Sequence, residues 1–148
     1  MKALFALDTC VYIEAFRNVE RLRVMKRFLL RKGQQVHLAA VAAMELRAGA
    51  RTREQQVAVE SLLAPYVTRG LLITPSFEAY VHAGRVVAEL SARGGTASGV
   101  SPHRLVNDAL LAASCRECDV TLVTSNIRDF AAIRGVMRDF SFVDAATM

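Results

Sequence analysis

The sequence predicts an α/β protein, folded as a three-layer α/β/α sandwich around a mostly parallel sheet of about five strands. Short apolar runs alternate along the chain with longer segments whose apolar residues recur at helical spacing. This alternation is typical of parallel sheets that are covered by helices on both faces. The chain has 148 residues, of which 53% are hydrophobic and 22% are charged, so a single domain over residues 1–148 can bury a core.

The chain begins with a predicted strand and two predicted helices. Residues 2–7, KALFAL, form a short buried strand. Asp8 or Thr9 then caps a helix that ends near Arg17. A second helix follows to about Lys32, where the next residue, a glycine, stops it.

The next part of the chain supplies two more strands and two more helices. Residues 36–40, VHLAA, form a strand that leads directly into the helix AVAAMELRAG at residues 40–49. A polar helix is expected over about residues 52–63. Residues 71–74, LLIT, form a third strand, which Pro75 ends.

A loop divides the remaining elements. A long helix runs over about residues 76–92, and the glycine-rich and hydroxyl-rich segment at 92–101 forms the loop. A helix at residues 100–115 follows, in which Ser101 is a candidate cap. The β-branched residues 120–125 form a fourth strand, and after a short turn of helix the segment DFSFV at 139–143 forms a fifth.

Polar residues collect where the predicted strands end, which is where parallel sheets bind ligands. Asp8 follows the first strand, residues 124–126 complete and follow the fourth, and Glu45 lies just beyond the second strand in its helix. Asp108 lies well past the first turn of its own helix, and three of its four helical neighbours are apolar. The helical neighbours of Glu45 are all small or apolar as well. Both acids are therefore predicted to face the sheet.

A shared cation would explain why these acids are buried. An unpaired buried carboxylate costs several kcal/mol or is neutralised instead. Asp8, Glu45 and Asp108 would offer oxygen ligands, which suit Mg²⁺ or Mn²⁺. Simpler explanations also exist for each acid. Asp8 can serve as a helix cap.

The other polar residues have simple alternatives too. Glu45 can pair with one of the two arginines in its vicinity, Arg47 or Arg51, and Asp108 can pair with Arg104. Asn126 and Asp129 can cap the short helix after the fourth strand. The coincidence of several such residues at one sheet edge favours a common site.

The charge of the chain indicates a polyanionic partner. The net charge is +5 and the isoelectric point is near 9.6. Residues 17–32 hold seven lysines and arginines against one glutamate, on a segment with apolar residues at helical spacing. This segment is either a solvated helix face or a surface that faces RNA or a protein partner.

Several classes of protein are disfavoured. The longest uncharged stretch is too short to cross a bilayer, and the N-terminal apolar run is too short for a signal peptide, so we expect a cytoplasmic protein with no membrane contact. Cys10, Cys115 and Cys118 suit reduced thiols, and Cys115 and Cys118 supply only half of a zinc ligand set. The sequence contains no phosphate-binding glycine loop, and Cys10 replaces the second aspartate that phosphatases of the haloacid dehalogenase class need.

Four segments of the chain resemble the signatures of PIN-domain ribonucleases, in order and at typical spacing. They are LDTCVYIEAF, MELRAG, NDALLAAS and LVTSNIRDF. The resemblance covers nearly the whole chain and implies a PIN-like fold. The chain is also similar to the toxins of VapBC-type toxin–antitoxin pairs.

The resemblance implies a role for particular residues. Asp8, Glu45 and Asp108 match the family's three metal-binding acids, and Thr9 matches the hydroxyl residue that usually follows the first aspartate. Asn126 matches a fourth position that is often Asp and in many toxin-like members Asn, so either a second metal is held weakly or Asp129 compensates for the missing charge. The implied reaction is hydrolysis of RNA phosphodiesters by a metal-activated water, which leaves a 5′-phosphate and a 3′-hydroxyl.

The resemblance also implies partners: a cognate antitoxin, an RNA substrate and a second copy of the chain. The candidates for holding the RNA backbone are four arginines: Arg47, Arg51, Arg104 and Arg128. Two alternatives remain. One is a housekeeping PIN-type RNA-processing nuclease, and the other is a non-catalytic PIN-like module that binds RNA or protein.

Overall fold

A computed structural model describes residues 2–94 and 102–148. The five strands are β1 (Leu4–Leu7), β2 (Val36–Ala39), β3 (Leu72–Ile73), β4 (Val120–Thr124) and β5 (Phe142–Asp144). The α-helices are α1 (Thr9–Arg17), α2 (Val19–Lys32), α3 (Ala40–Gly49), α4 (Arg53–Arg69), α5 (Phe77–Ala92), α6 (Pro102–Glu117) and α7 (Ile127–Val136). Two short 3₁₀ helices, Gly33–Gln35 and Ala145–Thr147, precede β2 and follow β5.

The five strands form one sheet in the order β3-β2-β1-β4-β5, and every neighbouring pair is parallel. The predicted α/β class and the parallel sheet are therefore confirmed. β1 lies at the centre, and its pairing with β4 places Leu7 opposite Val123. The backbone N–H of Asp8 donates to the carbonyl of Val123 at 2.9 Å. This bond extends the ladder by one residue and fixes Asp8 at the carboxyl edge of the sheet.

Side chains of the sheet alternate between two separate cores, one on each face. In β1, Phe5 and Leu7 contribute to the core that is covered by α1, α2 and α4, whereas Leu4 and Ala6 contribute to the core that is covered by α5, α6 and α7. The α3 helix supplies residues to both cores, with Val41 in one and Leu46 in the other. The sheet is thus covered on both faces, which confirms the three-layer sandwich.

Small residues bring α6 close to the sheet. Ala109 and Ala112 are fully buried and Ala113 is almost so. The helix packs against β2 and β4 as well as α3. Because alanine side chains are short, this face of α6 approaches the strands closely, and Asp108 is carried towards the carboxyl edge.

Two helices are longer than predicted. The α4 helix continues past residue 63 to Arg69, through Pro65, because Leu63 and Tyr66 are both buried and extend its apolar face beyond the proline. The helix after β4 has ten residues instead of a short turn, because buried Phe130 and Ile133 anchor two successive turns. In both cases tertiary packing outweighs the local signals for a helix end.

Other predicted bounds are shifted. The fifth strand begins at Phe142 and not at residue 139, because the N–H of Phe140 closes a turn onto the carbonyl of Met137 and its ring packs on Phe130 at 5.9 Å between centroids. The α6 helix extends to Glu117, whose carboxylate accepts bonds from the backbone and side chain of Ser76. The predicted loop and the Ser101 cap fall on residues 95–101, which lie outside the described residues.

In the two described ranges, no helix is long and apolar enough to cross a membrane.

The close approach of α6 leads to a stability prediction. Ala112→Leu should lower the free energy of unfolding by about 1–3 kcal/mol, because the added atoms have no space between α6 and the strands. Urea denaturation measures this change. The matched control is Ala132→Leu on the exposed face of α7, which should change stability by less than about 0.5 kcal/mol. Equal effects of the two substitutions would contradict the tight packing of α6.

Candidate active site

Asp8 is the most tightly held of the predicted acids. Its side chain is 4% exposed, and Oδ1 accepts a bond from the N–H of Thr9 at 2.7 Å, so Asp8 is the N-cap of α1. Its other oxygen, Oδ2, accepts from the hydroxyl of Thr124 at 2.7 Å and from the thiol of Cys10 at 3.1 Å. The simple explanation of Asp8 as a helix cap is therefore confirmed, and the second oxygen faces a group of other polar side chains.

Thr124 connects Asp8 to the residues that follow β4. It is fully buried, and its hydroxyl accepts a bond from the backbone N–H of Asn126 at 2.9 Å while it donates to Asp8. From the sequence, Thr124 was only one of several polar residues at the end of a strand. The β1–β4 register places it opposite Asp8, so a strand alignment is the signal that identifies it as part of the site.

Glu45 reaches the same region from α3. Its Oε1 accepts a bond from the hydroxyl of Thr9 at 3.0 Å, which places Thr9 between the two acids. Burial raises the pKa of the Glu45 carboxyl, and the charge of Asp8 raises it further, whereas the bond from Thr9 and the nearby Arg104 oppose that rise. Glu45 is therefore close enough to Asp8 for their charges to interact.

Asp108 has the most strongly perturbed carboxyl group of the site. Burial raises its pKa to about 8, and the charges of Asp8, Glu45 and Asp129 contribute to this rise in that order. The charge of Arg104 opposes it. Asp108 thus lies in a half-buried position that faces three other carboxylates.

Asn126 bridges two of these acids. Its side-chain amide nitrogen lies 3.0 Å from Oδ2 of Asp129 and 3.5 Å from Oδ2 of Asp108. It precedes α7 but makes no capping bond with its side chain, so the simple explanation of Asn126 as a side-chain cap is wrong. The amide instead contacts the acids because the Thr124 hydroxyl holds its backbone beside Asp8.

The chemistry of these donors fits a hard divalent cation. The side chains that meet here are four carboxylates and one amide, and hard cations prefer oxygen ligands. A positive charge would offset the mutual repulsion that raises the pKa of Asp108. Over residues 2–94 and 102–148, no group of three or more His, Cys, Asp or Glu side chains is already converged around one point. The acids therefore have to move closer together before they can share one ion.

The predicted arginines occupy different positions around the site. Arg104 is exposed on α6, and its charge lowers the pKa of both Glu45 and Asp108. Arg47 does not pair with Glu45, because its guanidinium forms two bonds with Glu60 of α4, at 2.7 and 3.0 Å. Arg51 and Arg128 are exposed, at the end of α3 and in the first turn of α7. Their role in binding RNA stays a prediction.

Ser125 was predicted only as one of the polar residues at the end of the fourth strand, and two further residues at the border of the site, Cys10 and Glu14, were not predicted. The hydroxyl of Ser125 donates to Oε1 of Glu14 at 2.6 Å and lies 3.2 Å from the sulfur of Cys10. These contacts tie α1 to the segment after β4, which carries Thr124 and Asn126. The signal in the sequence is helical spacing, because Cys10 and Glu14 are four residues apart and share one face of α1.

An apolar groove begins beside Glu45. It has a volume of about 450 Å³ and lies between α1, α3 and α4. Its lining includes Ile13, Phe16 and Leu46, and the Phe16 side chain is 48% exposed. The groove gives the acidic site an apolar neighbour on the protein surface.

The raised pKa of Asp108 predicts how pH affects the stability of the metal-free protein. In the unfolded chain this carboxyl titrates near 3.9, so between about pH 4 and pH 8 the folded state keeps a proton that the unfolded state has lost. Stability from this group is therefore lost as pH rises through that window. Asp108→Asn removes the effect. In EDTA, the difference in melting temperature, Asp108→Asn minus parent, should therefore become more positive as the pH is raised from about 5 to about 8.

The matched control for this measurement is Asp139→Asn. The pKa of Asp139 is lowered by its hydrogen bond with Arg116, so this carboxylate is charged in both states across the same pH window. The difference in melting temperature between Asp139→Asn and the parent should stay the same from about pH 5 to about pH 8. A pH-independent difference for Asp108→Asn would contradict the crowding of the acids.

Known proteins resemble this chain in sequence and in fold. The tRNA(fMet)-specific endonuclease VapC of Shigella flexneri is 28% identical over 132 residues, which cover 89% of this chain and 93% of that protein. DNA-bound VapBC from Salmonella typhimurium contains a chain that matches with a TM-score of 0.69 at 20% identity, covering 97% of this chain and 99% of that one. VapBC-1 from nontypeable Haemophilus influenzae gives a TM-score of 0.71 at 19% identity, covering 97% and 98%.

The family assignment rests on a match to most of the chain. The family model of the PIN domain matches residues 5–136, a range that includes every acid of the site. The solved structures above share the same fold. The chain therefore belongs to the PIN domain family.

Proposed function

We propose that this chain is an endoribonuclease that uses Mg²⁺ or Mn²⁺ and acts in the cytoplasm as the toxin of a toxin–antitoxin pair. The observation that carries the proposal is the placement of four acids at one sheet edge, where Thr9 links Asp8 to Glu45 and Asn126 links Asp108 to Asp129. Burial there, together with the charges of the three neighbouring acids, raises the pKa of Asp108 to about 8. The relative from Shigella flexneri, named as a tRNA(fMet)-specific endonuclease, supports RNA as the substrate class.

The proposed mechanism assigns the metal to the three acids that the family resemblance names. Asp8, Glu45 and Asp108 would hold the ion, with Asn126 and Asp129 beside it. When bound, a divalent cation supplies the Lewis acidity that activates water and offsets charge on the phosphate. Because most of the ligands are carboxylates, binding the ion requires Asp108 to lose its proton.

Two threonines would orient the acids for this task. Thr124 holds one oxygen of Asp8 at 2.7 Å, and Thr9 holds Oε1 of Glu45 at 3.0 Å. Both contacts leave a carboxylate oxygen or lone pair for the ion. Hydrogen bonds of this kind fix the direction of a ligand and limit its motion.

The substrate would approach past Arg104. Its guanidinium acts on Glu45 and Asp108 through its charge and can offset the repulsion between the acids and an RNA phosphate. Exposed Arg51 and Arg128 are further candidates for phosphate contacts. Arg47 could contact a phosphate only after its ion pair with Glu60 breaks. The VapC relative supports a folded RNA such as tRNA as the substrate.

Substitution of a metal-binding acid tests the activity. Asp8→Asn and Asp108→Asn should each lower the rate of RNA cleavage by more than about 100-fold, since losing even a supporting partner of a metal ligand costs 10–100-fold. Cleavage by the parent should stop in EDTA and return with excess Mg²⁺ or Mn²⁺. Sequencing of the RNA ends reports the products.

Asp139→Asn is the control for this assay, because Asp139 pairs with Arg116 away from the site. It should cut at the rate of the parent. Cleavage that persists both in EDTA and in Asp8→Asn would contradict a metal-dependent nuclease. Metal-dependent cleavage without any effect on growth would favour the housekeeping nuclease, and binding without cleavage would favour the non-catalytic module.

The groove beside Glu45 supports a protein partner. The solved VapBC structures share this fold, and the exposed ring of Phe16 in an apolar groove suits an apolar segment of an antitoxin. A partner seated there would lie directly against a residue of the acidic site. It would therefore block the approach of RNA.

Expression in bacteria tests this partner. The parent chain should arrest growth, and the product of the neighbouring gene should restore it. Phe16→Asp should still arrest growth but escape restoration, because a buried charge opposes docking in the groove. Val67→Asp is the matched control, since Val67 is 56% exposed on α4 and does not line the groove. Restoration of both variants would contradict docking at Phe16.

We also propose, from the resemblance, that two copies associate. Phe77 and Tyr80, three residues apart on α5, are 78% and 59% exposed and give one helix face an apolar patch. Light scattering that gives the mass of a single chain would contradict the dimer.

A further inference from the structure

The outer face of α2 is the most concentrated positive surface in the described part of the chain. Met25 and Phe28 bury the inner face of this helix. Seven basic residues lie on it or just before it: Arg17, Arg21, Arg23, Lys26, Arg27, Arg31 and Lys32. The one acid of this segment, Glu20, pairs with Arg23 at 2.7 Å. The positive charge of the helix is therefore largely uncompensated within the segment.

The end of α2 is separate from the acidic site. It lies at the amino ends of the strands, because Lys32 Nζ is 4.8 Å from the centre of the Phe5 ring and Gly33 leads directly into β2. The acids lie at the carboxyl ends. Arg17, just before α2, lines the groove that begins beside Glu45, and a helix of 14 residues is about 21 Å long. The basic face therefore leads from the border of the acidic site to the far end of the sheet.

The basic face also includes an apolar cavity. It has a volume of about 380 Å³ and is lined by Val24, Arg27, Leu30, Arg31 and Met148. Leu30 is 83% exposed. Arginine planes beside apolar side chains are surfaces on which unpaired RNA bases stack. The same guanidinium groups can contact phosphate oxygens in bidentate geometry.

We infer that the exposed face of α2 binds the backbone of the RNA substrate at a distance from the acidic site. This inference rests on the proposed function for the class of substrate. Charge favours RNA over a protein partner, because seven basic residues against one acid within residues 17–32 form the cluster of cations that is typical of nucleic-acid binding. RNA held along α2 would increase affinity without contact with the acids.

A binding measurement on charge variants tests the inference. The α2 variant combines Arg21→Gln, Lys26→Gln, Arg27→Gln and Arg31→Gln. The control variant removes the same number of charges from exposed positions elsewhere, with Arg53→Gln, Arg69→Gln, Arg85→Gln and Arg138→Gln. Both are made in Asp8→Asn, so binding is measured independently of cleavage. The probe is a fluorescein-labelled single-stranded RNA, and anisotropy is followed over a series of salt concentrations.

The α2 variant should bind this RNA about 10-fold more weakly or worse at low salt, and its slope of log K against log salt should be smaller by about 3. The control variant should stay close to the parent in both quantities. Both variants should melt with the parent, because all the replaced side chains are exposed. Equal losses in the two variants would overturn the inference in favour of a general effect of net charge.

Unchanged RNA binding by the α2 variant, or no binding by the parent, would also overturn it. In that case, the growth arrest caused by the α2 variant is tested for reversal by the antitoxin. If the antitoxin no longer reverses it, the face belongs to a protein partner. Cleavage by the parent is measured separately with the acidic variants. Failure of the α2 inference and failure of the nuclease proposal are therefore distinguishable.

Discussion

The pairing of β1 with β4 is the constraint on which the site depends. These strands are far apart in the sequence, but their parallel register aligns Leu7 with Val123. The ladder continues through the bond from the Asp8 N–H to the Val123 carbonyl at 2.9 Å. The side chain of Thr124 can therefore reach Asp8, and its hydroxyl positions Asn126. A slip of one residue would turn Thr124 to the other face of the sheet and separate these groups.

The site concentrates negative charge at a cost to the metal-free fold. Asp108 is carried into a half-buried position by the alanines of α6, where burial and three neighbouring carboxylates raise its pKa to about 8. The ion pair of Arg47 and Glu60 differs from this site, because it joins groups of opposite charge on the protein surface. Carboxyl groups whose surroundings disfavour the charged form are typical of functional sites. The acids repel a polyanion such as RNA. The positive face of α2, which lies in the same small domain, would attract it and so help its approach.

Much of the site could be predicted from local patterns. Glu45 and Asp108 stand out because each interrupts an apolar helix face, and Asp8 stands out because it follows a buried strand. Thr124 was harder to assign, because its role depends on a partner more than one hundred residues away. The continuation of α4 through Pro65 could not be predicted either, because the buried contacts of Leu63 and Tyr66 outweigh a local signal for a helix end. The true start of β5 depends in the same way on the packing of Phe140.

The sequence by itself determined the class of fold, the order of strands and helices along the chain, and which acids are candidates for a metal. These features follow from the spacing of apolar residues, which is local and visible in one dimension. Only the tertiary structure decided the order of strands in the sheet, the bond from Thr124 to Asp8 and the pairing of Arg47 with Glu60. It also decided that the end of α2 lies at the amino ends of the strands, opposite the edge that carries the acids. These features depend on register and on contacts between distant segments, which a local pattern does not encode.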